Sequence, residues 1–410
     1  MEIPFDAPDA ALKALNGLGL TEDLAFSPDK NRLIIVSYEL SKLLVLDIKI
    51  EGSTTNYKVS ITNHCEISSS NLKNPHGIVW IDNNTVIVAN RSGEAIVLAI
   101  PAITNKVKRL DLVPLQIFPS AELDKINSTD CIGINHLGSK LHEVLICSNS
   151  GNYVASYILD ESNNFAVQGS SILLKRNLKV PDGVKFSHDS QWIAVCNHDD
   201  HTVFIYENLK SLNCDSTPSG TLHGVNYPHG ITFMGENFIF VSDAGAPFIY
   251  GYQSKSGNWH GNHQPFIQLR IMDENSFKAG HFNHQEGGAK GLCLVKGSSL
   301  LAISCQQRHL SFIDLALVLP EILESDLVTP LHRSYPLLIQ NTLFRALKNI
   351  KVKEIEMTKQ IKKIKSNEHL LIQLHQEKME LFLKSSSWKI TAPFRVIKTI
   401  VTKIYATTIK

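Results

Sequence analysis

Apolar and polar positions alternate along this chain in a phrase that recurs. The clearest copy runs Tyr227-Pro228-His229-Gly230-Ile231-Thr232-Phe233-Met234, turns at Gly235-Glu236-Asn237, and returns through Phe238-Ile239-Phe240-Val241-Ser242-Asp243. Two β-rich runs around a tight polar turn predict a hairpin. The phrase comes back at Asn74-Pro75-His76-Gly77-Ile78, running on to Asn90, and at Val180-Pro181-Asp182-Gly183-Val184, running on to Asn197. Looser copies start at Glu22, Asp130 and Lys290 and end at Tyr38, Asn149 and Gln306. Successive starts lie 54, 54, 52, 47 and 61 residues apart. A repeat of roughly 40–50 residues with several short strands is the pattern of propeller blades.

The predicted fold is therefore all-β, a six-bladed β-propeller over residues 22–316. Residues 1–21 form an N-terminal segment with a brief helix around 10–15, stopped by Asn16-Gly17. Each blade has an outward-moving third strand, at 43–48, 95–100, 153–159, 202–206, 248–252 and 309–314. Fourth strands are expected at 57–67, 107–117, 165–174 and 265–271. Blade six shows only three strands before Leu317, so its fourth is expected from the first residues of the chain or from 327–333.

Beyond a linker at 317–337 the period changes. Leu343, Leu347, Ile350, Met357, Ile361, Ile364 and Leu371 recur at helical steps, with Glu354 and Glu368 on the same seam and many lysines between. This predicts a coiled coil over 338–384 and hence self-association. Residues 385–410 carry no acidic side chain. There Phe394, Ile397, Ile400, Val401 and Ile404 share one helical face, with Lys389, Arg395, Lys398 and Lys403 mostly off it. A basic amphipathic helix introduced by Trp388 suits a membrane surface or a partner protein, with Trp388, Phe394, Arg395, Ile397 and Ile400 as the contact residues.

Composition narrows the function only slightly. Lys+Arg 40 against Asp+Glu 39 gives a net charge of +1, which argues against a nucleic-acid partner. None of the seven cysteines stands in a Cys-x-x-Cys pair, so neither a disulfide framework nor a cysteine zinc site is expected. The first residues lack the basic and apolar regions of a signal peptide, and no apolar run reaches the length of a membrane span. The expected location is cytoplasmic, peripheral on the inner face of the cytoplasmic membrane.

In a propeller the first strand of each blade lines the central channel. The start of that strand and the end of the second reach the same face. Two rings of side chains should therefore meet at one mouth. The inner ring is Glu22, His76, Asp130, Asp182, His229 and Lys290. The second is Tyr38, Asn90, Asn149, Asn197, Asp243 and Gln306. Carboxylates, imidazoles and amides in a funnel suit an oxygen-rich cation site or sugar hydroxyls. The structural alternative is that these residues cap their own turns and tie blades together. The segment 277–288 should join blade five to blade six as a loop on this face, with His281, His284 and Glu286 over the mouth. No serine-nucleophile motif, phosphate-binding glycine loop or His-Glu-x-x-His stands in the chain.

Residues 20–316 resemble the broad group of NHL, YncE-like and lactonase-type propellers. Within it, Pro181-Asp182-Gly183 and the leading Glu22 are similar to pieces of the calcium-dependent SMP-30/gluconolactonase pattern. That resemblance implies a metal-dependent lactone or ester hydrolase. Glu22, Asp182, Asn149 and Asn197 would be its metal ligands, and Glu22, Asp130 and Asp182 its catalytic carboxylates. Where the family has Pro-Asn-Gly, this chain reads Pro75-His76-Gly77 and Pro228-His229-Gly230. The tail segment Ser387-Trp388-Lys389-Ile390-Thr391-Ala392-Pro393-Phe394-Arg395 resembles the Ser-Trp-Arg-x-Thr-x-Pro-Leu-Arg tail of bacterial surface-polysaccharide glycosyltransferases and methyltransferases. It implies a setting in glycan assembly, such as O-antigen or capsule synthesis. The leading expectation is a propeller module of such a system, binding a glycan or a partner glycosyltransferase through His76, His229, Asn90, Asn149, Asn197, Asp243 and Lys290. No cofactor is expected beyond a divalent cation.

Overall fold

A computed structural model describes residues 2–319, apart from 54, 105–106, 120–127 and 139, together with Lys359, Gln376 and Glu377. The linker, coiled-coil and tail expectations fall, apart from those three residues and 317–319, outside the described residues. Six sheets form six blades, each with an antiparallel meander at its centre, and two of them add short parallel strands at the outer edge. Their first strands are Thr21–Phe26, Pro75–Trp80, Ile132–His136, Pro181–Phe186, Pro228–Met234 and Gly291–Leu294.

The second strands show why the sequence reads as near-continuous apolar runs. In Arg32–Ser37 every residue is buried. Leu33 and Ile35 enter the core shared with blade six, while Ile34 and Val36 enter the core shared with blade two. Blade two repeats this, with Val86 and Val88 facing one neighbour and Ile87 and Ala89 the other. A sheet covered on both faces has no solvated side to mark with polar residues. Six such inter-blade cores close the ring.

Blade six is completed by the start of the chain. Glu2–Ile3 pairs with Ser311–Asp314, Ile3 lying opposite Phe312. Phe5 packs edge-on against Phe312 with ring centroids 5.7 Å apart. The expected short helix is Asp9–Asn16, which buries Ala11 and Leu15 in the core between blades six and one.

Two expectations need correction. Residues 107–117 do not form one strand. Arg109–Asp111 runs parallel to Lys58–Ser68 of blade one, and Gln116–Ile117 pairs with Ile96–Ala99 of blade two. Pro114 lies between them and has no N–H to carry a ladder across. The segment from Phe277 is not loop from its start. It belongs to the helix Glu274–Gly280, whose N-cap Asp273 accepts from the N–H groups of Asn275 and Ser276.

The phrase Pro-x-Gly has a geometric meaning. The first strands of blades one, two, four and five each break register at their start, between Thr21 and Leu24, Pro75 and Ile78, Pro181 and Gly183, and Pro228 and Ile231. Such a bulge re-aims a side chain; here it falls at Glu22, His76, Asp182 and His229. The following glycine admits the next blade. A Cβ on Gly183 would lie 2.1 Å from the His229 carbonyl oxygen, and one on Gly230 would lie 2.2 Å from that of Lys290. Gly230→Ala should therefore cost about 3 kcal/mol by overpacking. Gly93→Ala, where the nearest atom is a flexible lysine carbon at 3.4 Å, should be nearly neutral. Urea denaturation of both variants checks this; equal midpoints would contradict it.

Candidate functional site

All six inner-ring residues lie at the mouth of the channel and all are buried, from Asp130 at 0% to Lys290 at 5% exposure. Glu22, His76 and His229 bring three donor atoms together, and Asp182 faces both imidazoles, one through each oxygen. His76 Nε2 is 3.5 Å from Glu22 Oε2 and 3.6 Å from Asp182 Oδ1. His229 Nε2 is 3.3 Å from Glu22 Oε2 and 3.6 Å from Asp182 Oδ2. The two imidazoles face each other with centroids 5.2 Å apart. Glu22 Oε2 and His229 Nε2 face each other as a buried pair at 3.3 Å, and neither has a well-aligned hydrogen bond. A buried polar atom without a partner costs about 1–3 kcal/mol, so two facing each other call for an explanation.

The remaining ring members and some neighbours frame this square. Lys290 Nζ lies 2.9 Å from Glu22 Oε1, and it also binds Glu286 at 2.9–3.0 Å. Arg91 Nε donates to Asp130 Oδ1 at 2.7 Å, with its Nη2 3.5 Å from Asp182 Oδ1. Asn149 donates to Asp182 Oδ1 at 3.0 Å, and its own Oδ1 has no donor. His198 Nδ1 lies 3.9 Å from Asp182 Oδ2. Above the square opens a cleft of about 170 Å3.

Charge sets the protonation states. Burial pushes the Glu22 carboxyl up, but Lys290 and then His76 outweigh it and hold it well below the usual range. Burial likewise opposes ionisation of Asp182, and the facing imidazoles and Arg91 hold it well below normal. Burial and the Arg91 charge push His76 down to about 3. Burial also lowers His229, but Asp182 and Glu22 more than reverse this. Glu22, Asp130, Asp182 and Glu286 face only Lys290 and Arg91 as fixed cations, an excess of negative charge before any imidazole protonates.

The second ring divides. Asn90 Oδ1 accepts from Lys73 N–H, and its amide donates to the Asn71 and Glu94 carbonyls. Asn197 likewise accepts from Lys179 N–H and donates to the Asn177 carbonyl. Asp243 accepts from the N–H groups of Asn226, Tyr227 and Gly245. These three cap turns, and only Asn149 reaches the square. Tyr38 stands edge-on to His76 at 6.3 Å. Gln306 Oε1 is buried without a partner. In the 281–288 segment only Glu286 carries charge into the mouth. His281 hydrogen-bonds the Glu286 carbonyl and His284 packs on Tyr227. The sequence reading missed Arg91 and His198. Each directly follows a second-ring asparagine, and that position is the signal that could have found them.

Comparison with known proteins adds little beyond this. No family model and no curated protein matches the chain. Among solved structures it is similar to the β-propeller domain of Cps50 (Swd1) from Myceliophteria thermophila, at 11% identity and TM-score 0.45, over 72% of this chain and 83% of that one. It is also similar to a luciferin-regenerating enzyme, at 11% identity and TM-score 0.46, over 72% of this chain and 90% of that one.

The calcium ion implied by the gluconolactonase resemblance does not fit the square. Calcium takes six to eight oxygens at about 2.3–2.6 Å. Here two of the three donor atoms brought together are imidazole nitrogens, and the Asn197 amide is consumed by its turn.

The Lys290–Glu22 pair is open to test. Lys290→Met strands a buried carboxylate and should cost about 3–5 kcal/mol. In the double variant with Glu22→Gln, most of that loss should return, since neither charge is left alone. A double-mutant cycle in urea measures this; simple additivity would contradict it.

Proposed function

We propose that the propeller mouth is a divalent transition-metal centre, with Glu22, His76, Asp182 and His229 as ligands, and that the protein is a metal-dependent hydrolase of a small lactone or ester. The spacing of the donors carries this reading. Ligands about 2.0–2.1 Å from an ion at tetrahedral angles stand about 3.4 Å from one another. Glu22 Oε2 stands 3.3 and 3.5 Å from the two imidazole nitrogens, and Asp182 meets the same nitrogens at 3.6 Å with one oxygen each. Mixed imidazole and carboxylate donors suit zinc, manganese, iron or cobalt. An ion would also give Glu22 Oε2 and His229 Nε2 a common partner and cancel the excess negative charge. Such an ion supplies Lewis-acid polarisation of a carbonyl. His198 lines the cleft 3.9 Å from Asp182 and is the candidate proton-transfer group.

Protein purified without chelator should contain about one transition-metal ion per chain by elemental analysis. The double variant His76→Ala/His229→Ala should retain less than about a tenth of it, since half of the donors are gone. A metal-free wild type that takes up neither zinc, manganese nor cobalt in calorimetry would sink the reading.

The tail supports a second reading about setting. From the resemblance of residues 387–395 to surface-polysaccharide enzymes we infer that this chemistry would work at the cytoplasmic membrane among glycan-assembly proteins, with the coil making an oligomer. Each of Lys389, Arg395, Lys398 and Lys403 would add about 1 kcal/mol of salt-sensitive attraction to anionic lipid. The full chain should float with anionic liposomes at low salt, and Ile397→Asp/Ile400→Asp should not. Flotation of neither would exclude the membrane role.

A further inference from the structure

We propose that Arg91 and Lys290 form an anion-binding subsite in the mouth, so that the substrate carries a carboxylate or a phosphate, and that Glu286 holds this subsite until the ligand displaces it. The proposal deepens the reading of the mouth as the substrate site and does not require the ion.

Lys290 already shows which chemistry it takes. Its Nζ faces Glu22 Oε1 on the channel side and both carboxylate oxygens of Glu286 on the cleft side, at 2.9–3.0 Å. The two carboxylates differ in their surroundings. Glu22 is buried and fixed in a first strand, whereas Glu286 is half-buried on the segment that follows the helix Glu274–Gly280. The Glu286 side chain keeps 18% exposure, so it has a path to water. A ligand carboxylate or phosphate can replace its two oxygens on Lys290 without leaving a buried charge alone. Exchanging one charge-assisted contact for another is nearly neutral, which makes the step reversible.

Arg91 is the second arm. Asp130 holds its Nε at 2.7 Å and is itself fixed by the N–H of Asn149 at 2.8 Å and the hydroxyl of Ser128 at 2.9 Å. This fixes the plane of the guanidinium. About a third of the side chain remains exposed, at 34%. Among the described residues Nη1 has no acceptor, and Arg91 and Lys290 line the same cleft as His76 and His229. A planar fork with free N–H groups is suited to bidentate capture of an oxyanion. The cleft, about 170 Å3, has room for a small molecule or one end of a larger one. With Glu286 turned outward and a divalent ion in the square, Glu22, Asp130 and Asp182 are outweighed by one positive charge, which a singly charged anion balances.

The test is calorimetric titration of the full chain with inorganic phosphate, with a hexuronic acid and with the matching neutral hexose. Each titration is run on cobalt-loaded and on chelator-treated protein. At least one anion should bind at least tenfold more tightly than the neutral sugar, and the two anion arms identify whether the group is phosphate or carboxylate. Glu286→Gln should tighten the anion at least fivefold, because the resident competitor loses its charge. Arg91→Gln should weaken it at least tenfold, and Arg91→Lys should do so less. Lys290 keeps its pair with Glu22 when Glu286 is replaced, so the Glu286 variant carries the test even if Arg91→Gln fails to fold. Equal binding of acid and neutral sugar, or anion affinity unmoved by Glu286→Gln, would overturn the subsite while leaving the metal centre standing. Anion binding in protein that takes up neither zinc, manganese nor cobalt would retain the subsite and remove the metal centre.

Discussion

Six first strands must approach one axis closely enough for their side chains to share a mouth, and that close approach governs the rest of the structure. It is possible because in three of the four bulged strands the next residue is glycine, at Gly77, Gly183 and Gly230, where a Cβ would fall within 2.1–2.5 Å of a carbonyl oxygen of the next blade. The bulge and the glycine have separate effects. The bulge turns Glu22, His76, Asp182 and His229 into the channel, and the glycine brings the neighbouring backbone against the strand that carries them. The inter-blade cores then hold this spacing from outside, with alternate residues of each second strand committed to opposite neighbours.

Bringing those side chains together has an electrostatic consequence. Carboxylates this deeply buried need compensation, and Lys290 and Arg91 supply it for Glu22, Asp130 and Asp182. The compensation is incomplete. It leaves Glu22 Oε2 and His229 Nε2 facing each other without a well-aligned hydrogen bond. A purely structural network would be expected to satisfy every member, because a buried group without a partner is a direct loss of stability. The account above treats that incompleteness as the mark of a site shaped for an ion and an anionic ligand.

Much of the fold was legible because the blade repeat is written in phrases of two kinds. Pro-x-Gly marks where a first strand begins, and the Asx at the end of the second strand marks where it stops. The cap role of Asn90, Asn197 and Asp243 explains why that second mark repeats so faithfully: each closes the same turn. The outer strands were less legible. Blade four takes Gly220–Leu222 as its fourth strand and adds Gly261–His263 from the next blade in parallel, and neither has a distinctive pattern. The site was half legible. The inner ring followed from the repeat, but Arg91 and His198 did not, because they stand one residue beyond the repeated phrase, where the blades differ. Sequence also suggested calcium from Asp182 and the asparagines, whereas the deciding chemistry lies in His76 and His229.

The central claim is that two imidazoles and two carboxylates enclose one ion. Diffraction from crystals of the full chain grown with cobalt, recorded at the cobalt absorption edge, tests it directly. The account predicts one strong anomalous peak at the mouth, about 2.0–2.2 Å from His76 Nε2, His229 Nε2, Glu22 Oε2 and an oxygen of Asp182. A mouth without anomalous density, with the His229 ring hydrogen-bonded to Glu22 in its place, would contradict it.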